Sequence, residues 1–484
     1  MSIKHILITS CAVTLLSGCL DSNNDKEATI DDELRTIISE QNISAKPEGD
    51  TIHPSIDEPI SQLGMKLFFS KGLGGEQDSA CVTCHHPKLG GGDRLALPIG
   101  VHAVEPDLLG PGRLHSASGF HYDGGPTVPR NAPSTFNIGL YKKSIFHDGR
   151  IETLSDNTIR TPDSDFGITD ANAVNLVQAQ ALFPVTSPEE MRGEFIEGES
   201  NDTLRESLMA RFTNQEIGNS WYEEFASAFN STASAEELLT IANVSFAIGE
   251  YERSQVFVEN DWRKYVDGDD SAINESAKRG AKLFYQSAEQ GGSNCVSCHS
   301  GDFFTDEQHH VVAFPQIGRG KGDGATGDDD FGRFRETQVD ADKYAFRTPT
   351  LLNALVTLPY GHAGSYSSLS DVVKHHLNAS NAIDDFYNNS AEIQPGMQVD
   401  NVVANTNAAL AQLTSLQQSG DSLLSNVDLS DEQVADLVSF LNTLTDPCVL
   451  DDTCLADWIP DAEDTDPDGS RLVPSVSLSA DISQ

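Results

Sequence analysis

The chain has 484 residues, and its 74 Asp and Glu against 31 Lys and Arg leave a net charge of -43 at pH 7. That length allows two or three domains. A surface this negative excludes a nucleic-acid partner, because phosphate would be repelled, and favours basic soluble partners or a saline habitat.

The first residues, "MSIKHILITSCAVTLLSGC", join a short basic head to an apolar run from Ile6 to Leu16. The run is too short to span a bilayer and reads as an export signal over 1–18. Leu16-Ser17-Gly18-Cys19 has the form of a lipobox, which predicts a lipid on Cys19 as the sole membrane contact, at the periplasmic face of a Gram-negative outer membrane. A plain secretory signal cut nearby is the alternative, and either exports the chain. Residues 19–50 are acidic and polar, and are expected to form a flexible tether.

From there the chain repeats itself. Gly64-x-Lys66-Leu67-Phe68 precedes "CVTCHHP", and Gly280-x-Lys282-Leu283-Phe284 precedes "CVSCHS" at nearly the same distance. Downstream, Pro133, Asn137, His147-x-Gly149 and Leu154 are answered in order by Pro349, Asn353, His362-x-Gly364 and Leu369. Ordered landmarks of this kind predict two related, mostly helical halves, 51–270 and 271–447, with an insertion after Asp156 and a seam near "DGDDSAINES". Each half is expected to close on a helix. In the first it lies within Ser234–Val258; in the second, Ser430 and Gln433 form a capping box ahead of Val434, Leu437, Val438 and Leu441. The loop "GRGKGDGATGDDDFGR" from Gly318 lacks the ending of a phosphate loop and reads as mobile. In the final segment, 448–484, Cys448 and Cys454 suit a disulfide, and the acidic tail past Pro460 is expected to be disordered. Its "DTDPDG" lacks the closing carboxylate of a calcium loop.

The pentads carry the chemistry. In an exported protein Cys81-x-x-Cys84-His85 and Cys295-x-x-Cys298-His299 each supply two thiols for thioethers to haem vinyl groups and a histidine for the iron, which is c-type attachment. Zinc would need a fourth ligand near each pentad, and a thioredoxin-like site would have no use for the histidine. His86 has no required role.

Together with "PRNAPSTFN", "FHDGR", "SPEEM", "FRTPTLLN" and "TLPYGHAGSYSSLSDVV", the pentads resemble the bacterial dihaem cytochrome c peroxidase and MauG family over about residues 57 to 447. The resemblance implies two tandem cytochrome c-like haem domains, the first haem peroxidatic and the second for electron transfer. It points to Glu190 in Ser187-Pro188-Glu189-Glu190-Met191 as the proton carrier, since O–O heterolysis needs a proton moved from one peroxide oxygen to the other. At the place where the family has a methionine or tyrosine on the far side of the second haem stands His376, implying a bis-histidine haem of lowered potential. A calcium ion between the halves is implied at Asn131 and the carbonyls of Thr357 and Pro359, oxygen ligands that suit it.

Two departures matter. His147 replaces the tryptophan the family places between its haems, and the region that can cap the first haem is expanded, so that His102 fits by context, His121 by spacing, and an uncapped haem is the third reading. The resemblance implies reduction of hydrogen peroxide to water with electrons from a small periplasmic cytochrome c or cupredoxin. Two other readings are MauG-like oxidation of a protein substrate's side chain and a non-enzymatic dihaem electron carrier. A homodimer is compatible with any of them.

Overall fold

Gly64 and Gly280, the matching glycines of the two repeats, decide how each half is built. The computed structural model describes residues 28–119, 125–161, 173–213, 221–389 and 393–480. The export signal and Cys19 lie outside them. The frame is set by α1 (Ile30–Glu40), α2 (Pro59–Phe69), α3 (Ile241–Arg253), α4 (Glu275–Tyr285), α5 (Leu369–Leu377) and α6 (Asp431–Asn442). In the first half α2 crosses α3 at Gly64, where a Cβ would overlap the Ala247 carbonyl; in the second, α4 crosses α6 at Gly280, where a Cβ would overlap the Asp436 carbonyl. Backbones approach this closely only over a residue without a side chain.

Each crossing seeds a core. Leu67, Phe68, Val244 and Tyr251 gather around the first, and Ala281, Phe284, Leu437 and Phe440 around the second. The capping box at Ser430 is present, with Gln433 N donating to its hydroxyl at 3.3 Å and Ser430 N donating to Gln433 Oε1 at 3.0 Å. The helix expected over Ser234–Val258 is divided: a short turn, Ala235–Leu238, precedes α3, whose N-terminus is capped by Thr240.

Strands are few. β1 (Ser144–Ile145), β2 (Ile151–Thr153) and β3 (Ile159–Arg160) form an antiparallel sheet with Ile145 opposite Ile151 and Thr153 opposite Ile159. β4 (His309–Val311) pairs with β5 (Ala345–Arg347), His310 facing Phe346. The fold is mostly α, as expected.

The halves meet on the repeat itself. Asn137 and Asn353 are both fully buried and left-handed, at φ 60° and 63°, a conformation asparagine tolerates. Both side-chain amides donate to the Phe257 carbonyl, at 3.0 and 2.9 Å.

Three sequence expectations are corrected. The tether is ordered from residue 28: α1 seats Leu34, 0% exposed, in the core of the second half, and its acids find the basic face of α4, with Asp31 on Lys278 at 2.9 Å and Glu33 on Lys282 at 2.7 Å. The tail past Pro460 is ordered as far as residue 480. Leu472 enters the core of the first half, its N–H donating to the Phe69 carbonyl at 2.8 Å, while Asp468 accepts from Trp221 Nε1 at 2.8 Å. The Gly-rich loop from Gly318 is pinned by its own acids: Asp323 accepts from Arg335 at 2.6 Å and Asp329 from the Tyr344 hydroxyl at 2.8 Å. Cys448 and Cys454 form the expected disulfide.

Candidate functional site

Both pentads follow the helix that carries the crossing glycine. After α2 the chain turns at Cys81–Thr83, and after α4 at Cys295–Ser297, so each pair of thiols and its histidine leave the core on a short 3-10 turn. All four thiols are unbridged. Burial pushes Cys295 up to about 11 and raises Cys81 and Cys84 as well, so these three sulfurs are held as neutral thiols.

In the second half His299 and His376 face one another across a cavity of about 480 Å³, their ring centres 6.3 Å apart. Each has its Nδ1 on a backbone carbonyl, His299 on Phe304 at 3.1 Å and His376, from α5, on Val372 at 2.8 Å. That arrangement sets the tautomer and leaves Nε2 for a metal. Burial keeps both rings neutral, His299 down to about 4. The spacing matches two imidazoles on opposite sides of one iron, since each metal–nitrogen bond is about 2.0 Å. His375, next in sequence, is excluded: Nδ1 bonds the Tyr366 hydroxyl and Nε2 the Val312 carbonyl, both at 2.9 Å, and its ring stacks on Phe314. The donor set therefore fits a haem.

The first half repeats one side of this arrangement. His85 sets its Nδ1 on the Gly91 carbonyl at 3.2 Å, and burial lowers its pKa. His86 is turned away, its Nδ1 accepting from Lys88 N at 3.1 Å. Glu190 sits on the π turn Pro188–Arg192, and its negative charge is among the groups that raise Cys81 and Cys84. Burial raises the Glu190 carboxyl itself; Arg150 and Lys321 oppose that rise. Gly100 lies against the Glu189 and Glu190 carbonyls, where a Cβ would overlap both. His102 is two residues on, left-handed at φ 57°, its N–H donating to Asp78 at 2.6 Å and its ring edge-on to His115. His121 lies outside the described residues.

Asn131, Thr357 and Pro359 all line the cavity of the second half. Asn131 Nδ2 donates to the carbonyls of Leu95 and Ala96, at 2.9 and 3.1 Å, which uses the amide end and leaves Oδ1 as the available ligand. The ring of His147 rests on the Asn131 carbonyl through Nε2 at 3.0 Å, and His362, its counterpart in the repeat, accepts from Asn131 N with its own carbonyl at 2.8 Å. Burial, with Arg130 nearby, holds His147 neutral at about 4.

Sequence reasoning missed the charges that join the halves. Arg130 is clamped by Asp330 at 2.6 and 2.7 Å and by Asp148 at 2.5 Å, and Arg150 adds a 3.2 Å bond to Asp148. Arg130 and Asp148 stand in the quoted motifs, whereas Asp330 comes from the loop read as mobile; its partner is 200 positions away, beyond any local pattern.

Comparison with known proteins places these features. A model of the di-haem cytochrome c peroxidase family matches residues 58–271. Methylamine utilization protein MauG of Methylorubrum extorquens is 27% identical over 369 residues, covering 76% of this chain and 81% of that protein. Cytochrome c551 peroxidase of Pseudomonas aeruginosa is 26% identical over 320 residues, covering 66% and 71%. Over these stretches the chain is similar to the di-haem cytochrome c peroxidase and MauG family. It is thus an oxidoreductase with two c-type haems. Solved structures share the fold: a MauG-like protein associated with microbial copper homeostasis has a TM-score of 0.56 at 20% identity, over 84% of this chain and 97% of that one. The diheme peroxidase BthA from Burkholderia thailandensis has a TM-score of 0.54 at 19% identity, over 87% and 92%. His147 and His376, the two histidines that depart from the motifs the sequence resembles, are both half-buried.

Proposed function

We propose that the chain reduces hydrogen peroxide to water, the first haem taking the oxidant and the second supplying electrons. The observation that supports the proposal is the inequality of the two pentads: His299 faces a second imidazole, His376, whereas at the other pentad the negative charge of Glu190 acts on Cys81 and Cys84. Cys81 and Cys84, and Cys295 and Cys298, would hold the haems by thioethers, with His85 and His299 on the irons and His376 opposite His299. Haem supplies the site of peroxide reduction; the protein supplies geometry and protons. Glu190, as the carboxylate, accepts a proton from one peroxide oxygen and returns it to the departing oxygen, so that two electrons and two further protons give two waters. With His299 and His376 both as ligands, the second haem would offer peroxide no free position and would serve electron transfer.

A calcium ion held by Asn131 Oδ1 and the Thr357 and Pro359 carbonyls would brace the seam with oxygen ligands. The donor is a small basic redox protein, steered by the charge of -43. The protein works outside the cell membrane, carried there by its signal and held by lipid on Cys19; among the described residues no helix is long and apolar enough to cross a membrane. The test is steady-state turnover of reduced cytochrome c with peroxide, after prereduction and with calcium added. Absence of turnover would refute the proposal.

His147 favours a second reading. With an imidazole tied to the Asn131 carbonyl where the resemblance places an indole, oxidising equivalents would be less readily passed between the haems and could be spent on a bound protein. Peroxide-dependent modification of a protein partner, with poor turnover of cytochrome c, would select this reading.

A further inference from the structure

One wall of the second-half cavity, where it meets the first half, is short of hydrogen-bond acceptors. β4 pairs with β5 so that His309 stands directly opposite Arg347, and side chains so placed lie on one face of the sheet with Cβ atoms about 5 Å apart. Both line the cavity, as does His362, whose ring stacks on Phe346 with centres 3.8 Å apart. Arg347 Nη1, His309 Nε2 and both ring nitrogens of His362 are enclosed, and none has a hydrogen-bond partner among the described residues.

Contacts with the first half hold Arg347 in place. Its backbone N–H donates to the His147 carbonyl at 2.8 Å, its Nε to the Phe146 carbonyl at 3.1 Å, and its guanidinium carbon lies 4.0 Å from the centre of the Tyr141 ring. No carboxylate is among these contacts. Burial lowers His309 and His362 to about 3, so both rings are neutral and the positive charge of this wall is that of Arg347. A guanidinium fixed among neutral donors calls for an anion, and a carboxylate matches its fork of N–H groups.

The anionic groups of a haem are its two propionates. We propose that Arg347, with His309 opposite it, receives a propionate of the second haem, so that a single side chain clasps that cofactor to the first-half loop bearing His147. This rests on the haem reading of the cavity between His299 and His376. Cys295, Cys298, His299 and His376 all belong to the second half; Arg347, seated on the Phe146 and His147 carbonyls, is what ties the second haem to the first half.

The test is a spectroelectrochemical titration of the haem-loaded protein, following the low-spin band of the second haem in the parent, Arg347→Gln and Arg347→Lys. Thioether bonds keep the haem attached in each variant. Loss of a cation beside the porphyrin favours the more positive ferric form, so Arg347→Gln should shift the ferric/ferrous equilibrium of the second haem by about tenfold, a potential lower by about 59 mV for one electron. The first haem should not move. Arg347→Lys keeps the charge and should recover most of the shift, which a role confined to the Phe146 carbonyl would not allow. An unmoved potential in Arg347→Gln, or an equal shift in Arg347→Lys, overturns the proposal. A parent with one haem, or with no low-spin second haem, overturns the reading of the cavity and the proposal with it. Should Arg347→Gln fail to load both haems, Arg347→Met is judged by the same criteria.

Discussion

Asp330→Asn isolates the charge that locks the two halves. The variant keeps the shape of the side chain and removes the bidentate partner of Arg130, whose side chain is 6% exposed while both carboxylates are 2% exposed. Breaking a buried ion pair costs about 3–5 kcal/mol because it strands the remaining charge. Here Asp148 still holds Arg130 at 2.5 Å, so the loss should sit at the lower end, about 3 kcal/mol. Equilibrium urea unfolding of the haem-loaded protein measures it. A loss below about 1 kcal/mol, the range of exposed pairs, would refute the reasoning. The pH dependence gives a second check. Burial alone would raise Asp330, but Arg130 outweighs it and the carboxyl ends well below the ordinary range. A depressed folded pKa contributes stability above the unfolded value near 3.9 and loses it as pH falls toward the folded one. The advantage of the parent over Asp330→Asn should therefore shrink below about pH 4.

His376→Ala should abolish the low-spin spectrum of the second haem while His375→Ala, which removes a residue with both nitrogens already engaged, preserves it; the reverse would reassign the ligand. Glu190→Gln should lower the peroxide rate by about 10²–10⁴-fold without changing haem content, and a smaller loss would deny it the proton-transfer role. Glu252 on α3 is 3% exposed and burial raises it to about 8. Because its folded pKa lies above the unfolded value near 4.3, it costs stability as pH climbs between the two. Glu252→Gln should gain in Tm on the parent from pH 5 to pH 8, and a constant difference would contradict this.

What was legible in the sequence was whatever repeats or caps locally. The pentads and the Ser430 capping box lie within a few residues of their partners, and the crossing glycines and paired asparagines were visible as repeated landmarks, although not their distant contacts on Ala247, Asp436 and Phe257. His376 could be singled out from His375 only by family position; the structure adds the reason, since His375 is already bonded at both ends. What stayed hidden was charge with a distant partner. Asp31 is 247 positions from Lys278, and Asp330 is 200 from Arg130. Acidic composition reads as solvation until the cation facing it is known, which is why the tether, the tail and the Gly-rich loop all looked unstructured.

The ends of the polypeptide are traded between its halves: α1, from the front, completes the hydrophobic interior of the rear unit, and Leu472, from the back, completes that of the front unit. A gene bisected at the repeat boundary would accordingly yield two fragments, each missing a plug that the other carries. Mixing the fragments, rather than producing either alone, is the route by which they would regain their native interiors.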